Sequence, residues 1–179
     1  MPGPYPGVTI HDRVADGKRT VLPDLMLPQP PEMHCGGHGL YATVGDYMKF
    51  IRMIPNDGNG AIGRVLKPET VQQMCKDGLG DLSSGGWPTS IPSLTNEGQV
   101  FPGLRKGWAY TFQLNREETP SGRPAGSLMW AGLSNVFFWI DRKNGIGSYW
   151  GSQILPFQDI ASYPGFVDFE TAIYRNLRK

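Results

Sequence analysis

Gly126-Ser127-Leu128-Met129-Trp130-Ala131-Gly132-Leu133-Ser134-Asn135-Val136-Phe137-Phe138-Trp139-Ile140-Asp141-Arg142-Lys143-Asn144-Gly145-Ile146-Gly147-Ser148-Tyr149-Trp150-Gly151-Ser152-Gln153-Ile154-Leu155 is the stretch on which the fold turns. Aromatic and β-branched residues fill its two apolar runs, the side chains that suit a pleated, half-buried surface. Between the runs, Asp141-Arg142-Lys143-Asn144-Gly145 is turn chemistry, with Asn-Gly offering the positive φ of a tight hairpin. The spacing predicts two or three adjacent antiparallel strands, the first from Met129 to Val136. Small residues, Ala131 and Gly132, stand where a buried strand normally carries bulk, so a neighbouring strand or a substrate can approach that backbone closely.

Working outward, Gly107 to Leu114 alternates as a strand, placing Trp108, Tyr110, Phe112 and Leu114 on one face. On the other side a helix is predicted over Val167 to Leu177, with Phe166, Phe169, Ile173 and Leu177 in a stripe. Asp168 and Glu170 lie near its start and Arg175, Arg178 and Lys179 at its end, as the helix dipole favours. Further upstream, Thr43 followed by Asp46 resembles a capping box, and Tyr47, Phe50, Ile51 and Ile54 share a face, which predicts a helix from Val44 to Ile54 stopped by Pro55-Asn56-Asp57-Gly58. Lys67-Pro68-Glu69 opens a second helix, with Val71 and Met74 inward and Asp77-Gly78 closing it. Residues 79 to 106 form a Gly-, Ser-, Pro- and Thr-rich connection too long for an ordinary loop, read as a mobile surface segment or flap. Residues 1 to 32 are dense in Pro and Gly, with short strands at Val8 to Ile10 and Thr20 to Leu22 and an extended, partly polyproline-like run from Asp24 to Pro31. Such a stretch cannot nucleate a core and should lie over something else.

Composition narrows the class. Seventeen basic against sixteen acidic side chains leave a formal charge of +1 with no block of like charge, so nothing points to nucleic acid or to an anionic membrane. Hydrophobic residues at 39% balance 24 Gly and 16 Pro, giving a loop-rich but globular chain. The first residues lack a basic region and an apolar run, and no apolar stretch is long enough to span a bilayer, which makes a cytoplasmic location the expectation. Cys35 and Cys75 make no disulfide framework and are expected to be reduced. His34, Cys35, His38 and Cys75 are competent zinc ligands, but their spacing matches no finger and the glycines around them already serve a turn before a helix. No metal and no cofactor is expected.

Ordered motifs carry a resemblance. Gly36-Gly37-His38-Gly39-Leu40-Tyr41, Thr43, Asp46-Tyr47, the helix, Asp57-Gly58, and then Leu66-Lys67-Pro68-Glu69-Thr70-Val71 with Met74 are similar to the serine β-lactamase-like hydrolases. These comprise class C β-lactamases, penicillin-binding DD-peptidases and their related esterases. Trp130-Ala131-Gly132 stands where that family carries Lys-Thr-Gly or, in esterases, His- or Trp-Gly-Gly, and Phe138-Trp139-Ile140-Asp141, Asn144-Gly145 and Gln153-Ile154-Leu155-Pro156-Phe157 follow in the expected order. The resemblance covers nearly everything after residue 33 and implies the C-terminal part of a β-lactamase/transpeptidase-like fold. The expected class is α+β, with a Pro/Gly-rich entry and helical segment at 1–106 and an antiparallel sheet packed by the final helix at 107–179.

The same resemblance exposes what is missing. The family's chemistry needs Ser-x-x-Lys at a helix start and a Tyr that relays the proton. No serine here has a lysine three residues later, and Tyr174-Arg175-Asn176, which matches Tyr-x-Asn, lies on the terminal amphipathic helix in the wrong context. Both motifs precede Gly-Gly-x-Gly-Leu in the family, so the resemblance implies the C-terminal part of a longer acyl-enzyme carboxylesterase, inactive by itself. By that resemblance the Leu133 N–H is an oxyanion donor, and Trp130, Ala131 and Gly132 line the substrate. Trp130 in place of a lysine removes a carboxylate-binding cation and favours uncharged esters. The implied partners are a small ester or amide and either the missing N-terminal half or a second copy. A different class, a non-catalytic remnant or interaction module on the same scaffold, accounts for the same absence.

Overall fold

The computed structural model describes residues 9–14, 16–23, 25 and 30–177. In chain order its elements are β1 (Ile10–Arg13), β2 (Arg19–Leu22), α1 (Val44–Met53), β3 (Asn59–Gly60), β4 (Gly63–Arg64) and α2 (Pro68–Met74). There follow β5 (Lys106–Trp108), β6 (Gln113–Asn115), β7 (Leu128–Gly132), β8 (Val136–Asp141), β9 (Ile146–Trp150), β10 (Ile154–Leu155) and α3 (Ser162–Leu177). Strands β5 to β9 form an antiparallel sheet in sequence order. The expected α+β class is thus present.

Strand β8 shows why this sheet is the organising layer. Its side chains alternate, as the pleat requires: Phe138 and Ile140 enter one apolar cluster and Phe137 and Trp139 the other. Helix α1 covers the first face, with the Tyr47 ring 5.2 Å from both Phe138 and Tyr149, and Ile51 and Ile54 fully buried. Burying each of those isoleucines contributes about 1.5–3 kcal/mol relative to exposure. A methyl on Gly147 of β9 would overlap Ile51 Cγ2, so glycine there lets the helix settle against the strand. The expected N-cap is present: the Thr43 hydroxyl accepts from the Asp46 N–H at 3.1 Å. Helix α3 covers the second face, with Phe166 stacked on Phe137 at 4.6 Å.

The α3 face also buries charge. Arg123 and Glu170 form an ion pair at 3.3 Å with at most 1% of either side chain exposed, and Ser121 donates to the same carboxylate. Lys106 is buried and donates to the Val100 and Phe101 carbonyls at 2.7 and 3.0 Å. Tyr174 donates to Asp141 at 3.0 Å.

Several boundaries differ from the sequence reading. Gly107 to Leu114 is not one strand but the β5–β6 hairpin: the Ala109 N–H donates to the Phe112 carbonyl at 2.8 Å, and Tyr110 at the tip is 71% exposed. Alternation alone does not distinguish a strand from a tight reversal with the same side chains. Nor does the first strand of the central stretch run to Val136. It ends at Gly132, and Leu133-Ser134-Asn135 turn the chain, with Asn135 at φ +59°. In the next turn only Gly145 takes positive φ (+68°), while the Asp141 carboxylate accepts from the Asn144 N–H. Helix α2 stops at Met74, short of Asp77-Gly78, and α3 begins at Ser162 because Asp159 accepts from the Ala161 and Ser162 N–H groups. Its buried row is Ser162, Phe166, Glu170 and Tyr174, whereas Phe169 is partly and Leu177 half exposed. An acid on the buried row is the step that apolar patterning misses.

The long connection at 79–106 is tied into the core by Val100 and Phe101 and bridged between Trp87 and Gly98. The N-terminal segment does lie over something: β1 pairs antiparallel with β2 and parallel with β10, and Arg13 is ion-paired with Asp159. Val8, most of the run from Asp24 to Pro31, and Arg178 and Lys179 lie outside the described residues.

Candidate active site

Strand β7 carries the triplet. Its register with β6 covers Leu128 and Met129 only, while its register with β8 continues through Gly132. From Trp130 onward, therefore, the edge of β7 toward β6 has no paired strand among the described residues. The reason lies in the hairpin next door: β6 begins at Gln113, opposite Met129, and the chain before it curls away through the tip at Tyr110. Trp130, 37% exposed, packs edge-to-face on Trp108 with ring centroids 4.4 Å apart. Ala131 is half buried against the α3-side cluster. A methyl added at Gly132 would meet Val136 Cβ at 3.6 Å and nothing closer, so no part of the described protein occupies the space left by this glycine.

Leu133 follows at the start of the turn, half exposed. Among the described residues its N–H finds no acceptor. The two residues after it are the opposite. Asn135 is fully buried; its side chain donates to the Ile154 and Pro156 carbonyls at 2.8 Å each and accepts from the Asp159 N–H at 2.9 Å. Ser152 Oγ lies 2.9 and 3.0 Å from the Ser134 and Asn135 carbonyls. Sequence reading missed Asn135, Ser152 and Asp159. The available signal was an Asn between two apolar runs, since Asn tolerates the left-handed region better than most residues.

Electrostatics separate candidates from scaffold. Burial, then the Asp141 charge, pushes the Tyr174 hydroxyl far above the ordinary phenol range, and its proton is already given to Asp141, so it is no proton relay. Burial, followed by repulsion from Arg123, lowers Lys106, whose ammonium is occupied by two carbonyls. His11 Nδ1 sits 3.1 Å from the Thr9 carbonyl, and among the described residues no histidine is bonded to a serine hydroxyl. No group of three potential metal ligands occurs among those residues, and no helix there is long and apolar enough to cross a membrane. Among the described residues the arrangement offers a backbone donor without an acceptor, on a strand that is unpaired on its β6 side from Trp130, whose ring packs on Trp108.

No family model matches the chain. It is 27% identical over 142 residues to the acyltransferase calJ of Penicillium decumbens, covering 71% of this chain and 30% of that protein. Over 117 residues it is 29% identical to the lovastatin esterase of Penicillium rubens, covering 62% and 28%. Among solved structures it matches unliganded simvastatin synthase from Aspergillus terreus with a TM-score of 0.69 at 20% identity, over 94% of this chain and 40% of that one. A mutant of the same synthase gives 0.73 at 22% identity, over 95% and 42%. The chain thus spans less than half the length of the relatives it matches. The fold this chain shares with simvastatin synthase is the β-lactamase-like fold, and the present residues match its C-terminal portion.

Proposed function

We propose that the chain is the C-terminal part of a β-lactamase-like serine hydrolase or acyltransferase, a carboxylesterase working through an acyl-enzyme, and that it supplies the carbonyl-orienting half of the site. The observation that carries this reading is that, among the described residues, the Leu133 N–H has no acceptor and the triplet strand before it has no paired strand on its β6 side from Trp130 onward. A backbone N–H fixed where an oxyanion develops stabilises the tetrahedral intermediate because it needs no reorganisation at the moment of reaction. The Trp130 ring on the same strand, packed on Trp108, puts apolar surface and no cation at the triplet's first position, which suits an uncharged ester. The nucleophile would come from a Ser-x-x-Lys segment, the proposed partner of this chain, in the cytoplasm. The relatives named above, an acyltransferase and an esterase, support the reaction class.

The absence of Ser-x-x-Lys favours a second reading, a non-catalytic module on the same scaffold. One experiment separates them. The purified chain is incubated with a fluorophosphonate probe and a chromogenic short-chain ester, alone and after mixing with the Ser-x-x-Lys-bearing N-terminal segment of a relative. No labelling alone, followed by serine labelling and turnover on mixing, is expected. In the mixture Leu133→Pro should lower kcat by about 10²–10³, with circular dichroism confirming the fold. Labelling of the chain alone with turnover would refute the incomplete site, and no turnover on mixing would favour the module.

A further inference from the structure

We propose that Asn135 is a positioning residue for this site, setting the direction of the Leu133 N–H through its own side-chain hydrogen bonds; the inference rests on the oxyanion role given to Leu133 above. A turn at φ +59° needs only glycine. Asparagine is there instead, fully buried, with both amide protons and its oxygen in use. Its partners lie 19 to 24 positions further along the chain, in and after β10, and not on β8, the strand the turn leads into. The side chain therefore does not close the hairpin. It bolts the turn to a second layer.

That layer is itself anchored. Asp159, whose N–H Asn135 accepts, uses its carboxylate to hold Arg13 of β1 and the N–H groups of Ala161 and of Ser162, the first residue of α3. A serine hydroxyl has one proton, so Ser152, placed between the Ser134 and Asn135 carbonyls, gives its proton to them and accepts from Ser162 at 3.2 Å. Ser162 in turn accepts from Trp150 Nε1 at 3.1 Å. A further bond runs from the Ile154 N–H to the Ser134 carbonyl at 3.3 Å. The bonds made by the Asn135 side chain, by Ser152 and by the Ile154 N–H grip residues 134 and 135, and among the described residues none is made to the Leu133 N–H. The Leu133 N–H belongs to the Gly132–Leu133 peptide, which follows directly on the Gly132–Val136 register pair, and the anchored Ser134 and Asn135 carbonyls hold the turn on its other side, so its direction is set from both ends of the turn.

The variant Asn135→Gly keeps the backbone conformation accessible and deletes the three side-chain bonds. In the 15N-labelled chain the Leu133 and Ser134 amide resonances should broaden or split, while those of Trp139 and Phe166 keep their positions. In the mixed assay kcat should fall about 10- to 100-fold, the scale expected of a misplacement near 1 Å, with KM held within about twofold. A merely structural role would lower the fraction of folded protein, and with kcat referred to the folded fraction measured by circular dichroism it would leave both kcat and the Leu133 amide unchanged. Ser152→Ala, which loosens the same turn from its other side, should move the same amides by less and covers the case in which Asn135→Gly fails to fold. Unchanged Leu133 amide and kcat in Asn135→Gly, with Leu133→Pro still inactive, would overturn the positioning role and leave the site reading intact. Turnover unaffected by Leu133→Pro would overturn the site reading and this inference with it, whatever the amides show.

Discussion

The face of the main sheet under α1 and α2 is built from Ile51, Val71, Phe112, Leu114, Leu128, Phe138 and Ile140, whereas the face under α3 sets Arg123, Glu170, Lys106 and Asp141 among Phe137, Trp139 and Phe166. The first gains stability by removing apolar area from water, which tolerates small slips. The second demands register. Rotating α3 by one residue would take Glu170 away from Arg123 and leave a guanidinium buried without a counter-charge, a state costing several kcal/mol. Apolar packing holds both faces together, and the ionic pair decides how one of them is seated.

The contrast is broken most directly at the pair. Glu170→Ala should destabilise the fold by about 3–5 kcal/mol, because Arg123 loses the carboxylate it is paired with and stays buried. Urea unfolding measures this, and the double variant Arg123→Met, Glu170→Leu should recover most of the loss. If the double variant were as unstable as the single one, packing and not charge would be what Glu170 supplies.

A smaller effect belongs to Asp159, where the α3 face meets β1. Burial works to raise this carboxyl, but the Arg13 guanidinium and the Ser162 and Ala161 N–H groups outweigh it and hold it below the usual carboxylate range. The stabilisation is fully present above the unfolded value of about 4 and is lost as pH falls through the lower folded value. Asp159→Asn should cost about 1.5–3 kcal/mol at neutral pH, as expected of hydrogen bonds to a charged group. Its deficit relative to the parent should shrink below about pH 4. A deficit independent of pH would show that the ion pair is not what Asp159 contributes. The mildest test is on the apolar face: Ile51→Val should cost only about 0.5–1.5 kcal/mol with no pH dependence, and a larger loss would mean that this face is as exacting as its opposite.

The same contrast explains what was legible in the sequence. Periodicity located α1, α2 and the β8–β9 hairpin because apolar residues there recur with the period of the element. The N-cap at Thr43 was legible because its chemistry is local. The buried row of α3 was not: Glu170 reads as a solvent-facing acid until Arg123, 47 positions away, is brought to it. The triplet strand is legible but its end at Gly132 is not, since a single Asn between apolar runs is a weak turn signal against the continuous apolar pattern. Asn135 depends on carbonyls that only the folded chain delivers. Local chemistry and period can be read from one strand of text, and long-range polar partnerships cannot.

One consequence concerns the order in which the molecule assembles. Strand β1 is joined to the rest by its parallel pairing with β10 and by the Arg13–Asp159 contact, whose partners are 146 positions apart. Closing a loop of that length costs about 4 kcal/mol of chain entropy before any contact offsets it, whereas the β7–β8 and β8–β9 hairpins close over a few residues. Such a contact forms after local ones have shortened the path between its ends. Of the strands described, the first to leave the ribosome is the one the fold can use only once β10 and the start of α3 exist.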